Sequence, residues 1–118
     1  MRYRVTYNGE LIGTSDLAGC DPTMGVAVGD YVPAPAYERV REVFRMYATA
    51  DTNLENIVQS KYDAYYAARD ALNLELETDE GVPIPVRTIH VDDYSVEIGE
   101  YQLTVWTDDI SVFESCRE

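Results

Sequence analysis

Residues 3–12 read YRVTYNGELI, and this stretch predicts a β-hairpin at the start of the chain. Apolar and polar side chains alternate up to Tyr7, as a half-buried strand requires. Asn8-Gly9 then favours a type I′ turn, because both residues tolerate a positive φ angle. A two-residue turn at this place pairs Tyr7 with Glu10, Thr6 with Leu11 and Val5 with Ile12.

Residues 13–35 are expected to form a long and mostly irregular loop. The stretch carries four glycines and three prolines. Val26-Ala27-Val28 suggests a short strand within it. Ordered loops of this length are uncommon and often functional.

Two helices are predicted next. Helix A is placed at 35–49, because it opens on a proline and then carries apolar residues at helical spacing. Helix B is expected to begin near Asp51-Thr52, where Thr52-x-x-Glu55 has the pattern of a capping box. It should end near Leu72, with Asn73 as the stop signal. The apolar stripe of helix A consists of Tyr37, Val40, Val43, Phe44 and Tyr47.

The rest of the chain has the pattern of β-strands joined by tight turns. Residues 74–77 alternate cleanly between Leu and Glu. In the next strand Pro83 and Pro85 cannot donate ladder hydrogen bonds, which favours an edge position. Gly99-Glu100 is a glycine-first pair that suits a type II′ turn. Such a turn pairs Ile98 with Tyr101, Val96 with Leu103 and Tyr94 with Val105.

This order of elements predicts a single α+β domain over residues 1–118, the size of one domain. We expect an N-terminal β-hairpin, two α-helices, then a mostly antiparallel C-terminal sheet with the helices packed on one face. The N-terminal hairpin should join the C-terminal sheet, because an isolated two-stranded hairpin is only marginally stable.

The charge of the chain is strongly negative and unevenly placed. Twenty-two acidic residues face nine basic ones, for a formal net charge of -13. Residues 1–50 carry only -1 of this charge, whereas 51–118 carry -12. Nucleic acid and anionic membranes are therefore poor partners, and a basic protein is an attractive one. Bulk solubility, adaptation to high salt or a preference for Arg over Lys would give a similar composition.

The cysteines and the N-terminus bear on the compartment. Cys20 and Cys116 are far apart in sequence, and we expect two free thiols in a reducing compartment. The alternative is one disulfide between them. The N-terminal residues alternate and contain no continuous apolar stretch, so we expect neither a signal peptide nor a membrane anchor. A cytoplasmic protein is the resulting expectation.

The usual patterns of metal and cofactor sites do not match. A single histidine and the lack of a C-x-x-C pair argue against zinc. The stretch from Asp51 has the opening spacing of a calcium loop but fails at Asn56 and Tyr62. Asp92-Asp93 and Asp108-Asp109 would hold a hard cation only if the fold brought them together. No cofactor is expected.

Catalysis would have to use the one histidine. Cys20 and His90 could form a nucleophile–base dyad with Asp92 orienting the imidazole. Nothing around Cys20 resembles the setting of a catalytic cysteine, so we do not expect an enzyme.

The acidic C-terminal half is the main candidate for a binding site. Alternate residues on a strand share a face about 6.6 Å apart, so an acidic sheet face can imitate a row of phosphates. Tyr66 is added because an exposed tyrosine suits an interface. The acidic members of this predicted partner-binding set are Glu75, Glu77, Asp79, Glu80, Asp92, Asp93, Glu97, Glu100, Asp108 and Asp109.

These features predict a small acidic binding protein that inhibits or neutralises a basic partner, for example a nucleic-acid-binding effector, in the manner of an immunity or anti-defence protein. Two alternatives remain open. One is a structural or assembly subunit of phage or secretion-system type, with homo-oligomers formed through tyrosines or the edge strand. The other is a small enzyme that uses Cys20 and His90.

Overall fold

A computed structural model describes residues 2–51, 59–96 and 98–113 of the chain. These residues form two α-helices, α1 (Arg41–Asp51) and α2 (Gln59–Ala71), and two short 3-10 helices at Pro35–Arg39 and Ile110–Val112. The strands are β1 (Tyr3–Tyr7), β2 (Glu10–Ser15), β3 (Gly19–Asp21), β4 (Val26–Pro33), β5 (Glu75–Thr78), β6 (Pro83–Ile84), β7 (Thr88–Tyr94) and β8 (Glu100–Trp106).

The strands form one antiparallel sheet, curled into a half-barrel, in the order β6-β5-β1-β2-β4-β8-β7, with β3 paired to β4. The α+β class is therefore confirmed. The N-terminal hairpin joins the C-terminal sheet, as expected, because β1 pairs with β5 and β4 pairs with β8. The edge position predicted from the prolines is also confirmed, since β6 ends the strand order.

The N-terminal hairpin has the predicted turn but only part of the predicted register. Asn8 and Gly9 have φ angles of 51° and 80°, and the first two predicted pairs form. The third is wrong: Val5 pairs with Gly13 because the register shifts between Val5 and Thr6. A Cβ on Gly13 would lie 2.2 Å from the ring of Tyr31. The tyrosine thus packs where any other residue at 13 would place its side chain.

The short strand predicted at Val26-Ala27-Val28 is confirmed, but it continues to Pro33 as β4. The expectation that the rest of 13–35 is mostly irregular is wrong, because this segment also contains β3. Gly29 masked the strand pattern by interrupting its apolar alternation. A Cβ at this position would meet Ser15 Oγ, Asp16 Oδ1 and Leu17 N, each at 2.7 Å. The absence of a side chain at Gly29 allows residues 15–17 to lie close to β4, and the strand continues through the glycine.

The predicted helix A is split into two pieces. A 3-10 helix ends before Val40, whose φ and ψ of -120° and -5° are not helical, and α1 follows. Tyr37, Val40 and Phe44 are fully buried, so the predicted apolar stripe does face the core. Asn73 adopts a φ of 52° beyond α2, as a helix stop should. The capping box at Thr52 and Glu55 lies outside the described residues.

The register predicted for the last hairpin is wrong. Tyr94 pairs with Glu100, so five residues rather than two connect β7 to β8. The cause is Asp93, whose Oδ1 accepts hydrogen bonds from the backbone N–H of Ser95 at 3.1 Å and from its hydroxyl at 2.6 Å. These bonds turn the chain out of the strand. Val96 and Ile98 are left 78% and 65% exposed in the connection.

Cys20 is disulfide-bonded, so the expectation of a free thiol at this position is wrong. It lies on β3 and pairs with Ala27 of β4. The one other cysteine of the sequence, Cys116, lies outside the described residues. Among the described helices, none combines the length and apolar character needed to cross a lipid bilayer.

Replacing Cys20 with Ser should lower the free energy of unfolding by about 3 kcal/mol, because the bond restricts the unfolded chain. Denaturant unfolding of the oxidised protein and the variant measures the change. Cys116→Ser is the matched control and should give the same loss, since no other cysteine is present. An unchanged unfolding midpoint in both variants would contradict a stabilising disulfide.

Candidate functional site

The sheet brings acidic residues from both halves of the chain into one row. Asp30 of β4 and Asp92 of β7 both lie opposite Gln102 of β8. Glu100 lies two residues before Gln102 and therefore shares its face. Directly opposite residues have Cβ atoms about 5 Å apart. We call Asp30, Asp92, Glu100 and Gln102 the acidic row.

Within the acidic row, Asp30, Glu100 and Gln102 are exposed and Asp92 is half-buried. Neither Asp30 nor Glu100 forms an ion pair with a described residue. Sequence reasoning included Asp92 and Glu100 but missed Asp30, because Asp30 belongs to the nearly neutral half. Val26, Val28 and Asp30 follow one another at every second position, which is the spacing of one strand face. This spacing is the sequence signal that could have placed Asp30 on a strand.

Asp93 was assigned to the exposed set, and this assignment is wrong because its side chain is fully buried. Its Oδ2 accepts hydrogen bonds from the hydroxyl of Tyr37 at 2.7 Å and from the guanidinium of Arg41 at 3.2 Å. Ser95 provides two further donors to Oδ1. A buried carboxylate with four donors holds the fold together and is unavailable to a partner.

Arg41 is the main cation of this buried cluster. Its guanidinium also donates to the hydroxyls of Ser95 at 3.2 Å and Tyr101 at 2.8 Å. It lies over the rings of Tyr37 and Tyr101, 4.9 Å and 5.6 Å from their centroids. The hydrogen bond to Glu38 is the largest cause of its raised pKa. Arg41 therefore stays charged and is fully engaged within the protein.

Asp92 has a different role on the opposite face of β7. Its Oδ1 lies 2.7 Å from Nε2 of His90, while the hydroxyl of Tyr65 contacts Nδ1 of the same ring. A carboxylate accepts from Nε2–H, which leaves Nδ1 to accept from the tyrosine hydroxyl. Burial raises the pKa of Tyr65, and the charge of Arg69 opposes this shift. A chain of hydrogen bonds thus runs from a buried phenol to the half-buried carboxylate of the acidic row.

The Cys20–His90 dyad, which the sequence left as an alternative, lacks its nucleophile in the structure. The structure does place Asp92 on the imidazole, as the dyad required. However, Cys20 is held in a disulfide and has no thiolate to offer. Both ring nitrogens of His90 are occupied, by Tyr65 and Asp92.

The other predicted residues lie elsewhere. Glu75 and Glu77 are on β5, which three strands separate from β8 along the sheet, and Glu77 pairs with Arg4 at 3.3 Å. Glu97 lies outside the described residues. Asp79 and Glu80 are exposed in the turn after β5. Asp108 lies 3.7 Å from Arg87, and Asp109 caps the second 3-10 helix. Tyr66 is 40% exposed.

Across residues 2–51, 59–96 and 98–113, no three His, Cys, Asp or Glu side chains are grouped so that they could hold a metal ion. The acidic row contributes two exposed carboxylates and one that His90 engages. The acidic row is therefore a negatively charged and mostly exposed part of the sheet.

Asp93→Ala should destabilise the fold by about 3 kcal/mol, because it leaves the buried hydroxyl of Tyr37 and the guanidinium of Arg41 without their acceptor. Thermal or denaturant unfolding measures this loss. Glu100→Ala is the matched control, since an exposed carboxylate should change stability by less than about 0.5 kcal/mol. Equal stability of the two variants would show that Asp93 is not a structural centre.

The fold should also lose stability in alkali. Burial raises the pKa of Tyr31, Tyr37 and Tyr65 above the ordinary value of 10.0, and Asp93 adds to the shift of Tyr37. Above pH 10 the unfolded chain releases these protons and the folded chain keeps them. The contribution of these tyrosines to the free energy of unfolding is therefore fully present below pH 10. Above pH 10 the free energy of unfolding falls by about 1.4 kcal/mol per pH unit for each tyrosine. Tyr31→Phe should make the alkaline slope shallower, and an unchanged slope would exclude Tyr31 as a source.

Comparison of the chain with protein-family models, with curated proteins and with solved structures finds no match. Function is therefore inferred from the placement of this chain's own side chains.

Proposed function

We propose that the chain is a binding protein that attaches to a basic partner protein through the acidic row and the adjoining β7–β8 connection. The observation that carries this proposal is the convergence of Asp30, Asp92 and Glu100 on three neighbouring strands, beside the exposed side chains of Val96 and Ile98. Carboxylates and apolar side chains thus occupy the same end of the sheet.

The two kinds of side chain would contribute differently to binding. Exposed carboxylates raise the rate of encounter with a basic surface and select against acidic partners. Burying Val96 or Ile98 in a pocket of the partner would add about 1.5–3 kcal/mol each. Since aliphatic side chains this exposed stabilise the isolated fold little, an interface gives them a role.

Inhibition is the mode of action that this surface supports. Asp30 and Asp92 flank Gln102 on its two neighbouring strands and are therefore about 10 Å apart, with Glu100 diagonal to both. These carboxylates offer a basic cleft an array of anions, as a nucleic acid backbone does. A protein that binds nucleic acid is therefore a suitable target, and occupation of its cleft would neutralise it without catalysis. The acidic row needs no cofactor for this action.

Asp30→Lys combined with Glu100→Lys should slow association with the partner by at least about tenfold at low salt. The partner is first identified by affinity capture from lysates of the source and mass spectrometry, and association rates are then measured with the purified pair. The wild-type rate should fall steeply with salt, and that of the variant should not.

Glu75→Lys combined with Asp79→Lys is the matched control, because it changes the net charge equally at β5 and the turn that follows it. This control should slow association less than the variant of the acidic row. An equal effect of both pairs would mean that net charge alone acts. Val96→Ser with Ile98→Ser should speed dissociation, and unchanged binding would exclude the connection from the interface.

A further inference from the structure

A cleft lies away from the acidic row, beside the C-terminal end of α2. It has a volume of about 470 Å³, and its walls come from α2, the start of β5 and the residues leading into β7. A smaller neighbouring cleft of about 200 Å³ shares Arg69, Arg87 and Thr88 with it and adds Trp106. Arg69 and Arg87 therefore line both clefts.

Arg69 is held rigidly at this place. Its side chain is only 15% exposed, and its guanidinium lies 5.4 Å and 5.1 Å from the ring centroids of Tyr65 and Tyr66. Its Nε and Nη2 both contact one oxygen of Asp70 at 3.2 Å. Stacking on two rings orders the guanidinium before any ligand arrives, which reduces the entropy lost on binding.

Arg87 provides the second, more exposed charge. Its side chain is 67% exposed and lies 3.7 Å from Asp108, which is 85% exposed. An ion pair this long and this exposed contributes little. A ligand can therefore draw the Arg87 guanidinium away from Asp108 at low cost.

The rest of the lining restricts the kind of anion. Asp70 and Glu75 also line the large cleft, so the two arginines are balanced by two carboxylates. A phosphate or another multiply charged ion would meet repulsion from these carboxylates. Leu74, Val86 and Ile89 form an apolar part of the wall, which suits a ligand with an apolar body.

We propose that this cleft binds a small organic acid with one carboxylate and an apolar body. Arg69 and Arg87 would receive the carboxylate, for which the planar guanidinium is the preferred partner. The apolar body would lie against Leu74, Val86 and Ile89. This site is independent of the proposed partner surface, since it uses none of the residues of the acidic row.

The test is a titration with benzoate at constant ionic strength, followed by NMR. Trp106 is the only tryptophan of the chain, so its indole N–H signal reports on the smaller cleft without ambiguity. Benzoate should shift this signal and the Arg Nε–H signals in a saturable way. Benzamide has the same shape without the charge and should bind at least about tenfold more weakly.

Arg69→Gln and Arg87→Gln should each weaken benzoate binding, Arg69→Gln by at least about tenfold because its guanidinium is the ordered one. Arg87→Gln changes an exposed side chain and keeps the test valid if Arg69→Gln disturbs the tyrosines. Arg2→Gln is the control, since Arg2 is exposed, donates to Thr14 and does not line the cleft. It should leave binding unchanged.

Three results would overturn the proposal. The first is a benzoate titration without saturation. The second is binding of benzamide as tight as that of benzoate, which would mean that the arginines do not distinguish a charged ligand from a neutral one. The third is competition by inorganic phosphate as strong as that of benzoate, which would show a site for any anion and no role for the apolar wall.

Discussion

The buried carboxylate of Asp93 is the interaction on which the rest of the structure depends. Removing a carboxylate from water costs several kcal/mol, and only close donors offset that cost. Tyr37 from the first 3-10 helix, Arg41 from α1 and Ser95 from the β7–β8 connection provide them. One side chain therefore joins the first 3-10 helix and α1 to the end of β7, which lies more than fifty residues later in the sequence. The backbone adds to this arrangement, because Arg45 donates to the carbonyl oxygen of Asp93 at 2.6 Å, so α1 covers the outer edge of β7.

The same residue determines where the candidate partner surface lies. Because Asp93 turns the chain at Ser95, β7 ends early and Val96 and Ile98 point into solvent. Strand alternation then places Asp92 on the opposite face from Asp93. Two adjacent aspartates thus have opposite roles: one organises the core, and the other joins Asp30 and Glu100 at the surface. A change to the buried network would move the surface as well.

Local chemistry made much of the fold predictable. The Asn8-Gly9 turn, the proline-marked edge and the buried stripe of helix A follow from backbone preferences within a few residues. Two of the failures involve contacts between segments that are distant in sequence. The register of β1 shifts beside Gly13, over which Tyr31 packs, and Gly29 lies inside β4 where residues 15–17 approach its Cα.

The candidate site shows the same division. Exposure of the acidic C-terminal half was predictable in general, and Glu100 and Asp92 were found from it. Asp30 joins them only through strand pairing, which the sequence does not reveal. From the sequence, Asp93 could not be distinguished from the adjacent Asp92. Its burial depends on donors some fifty residues away, such as Tyr37 and Arg41. The disulfide of Cys20 was equally hidden, since the sequence left it as one of two alternatives.

Each arginine makes several contacts at once, so a few cations can stabilise many groups within this acidic chain. Arg41 contacts Glu38, Asp93, Ser95 and Tyr101 and covers two aromatic rings, which requires the several donors and the flat face of a guanidinium. A lysine could offer three donors but no such face. Arg69 likewise stacks on two tyrosines. Because these cations serve inside the structure, they do not neutralise Asp30 and Glu100. Asp30 and Glu100 therefore keep their negative charge, which leaves the acidic row available for the proposed basic partner.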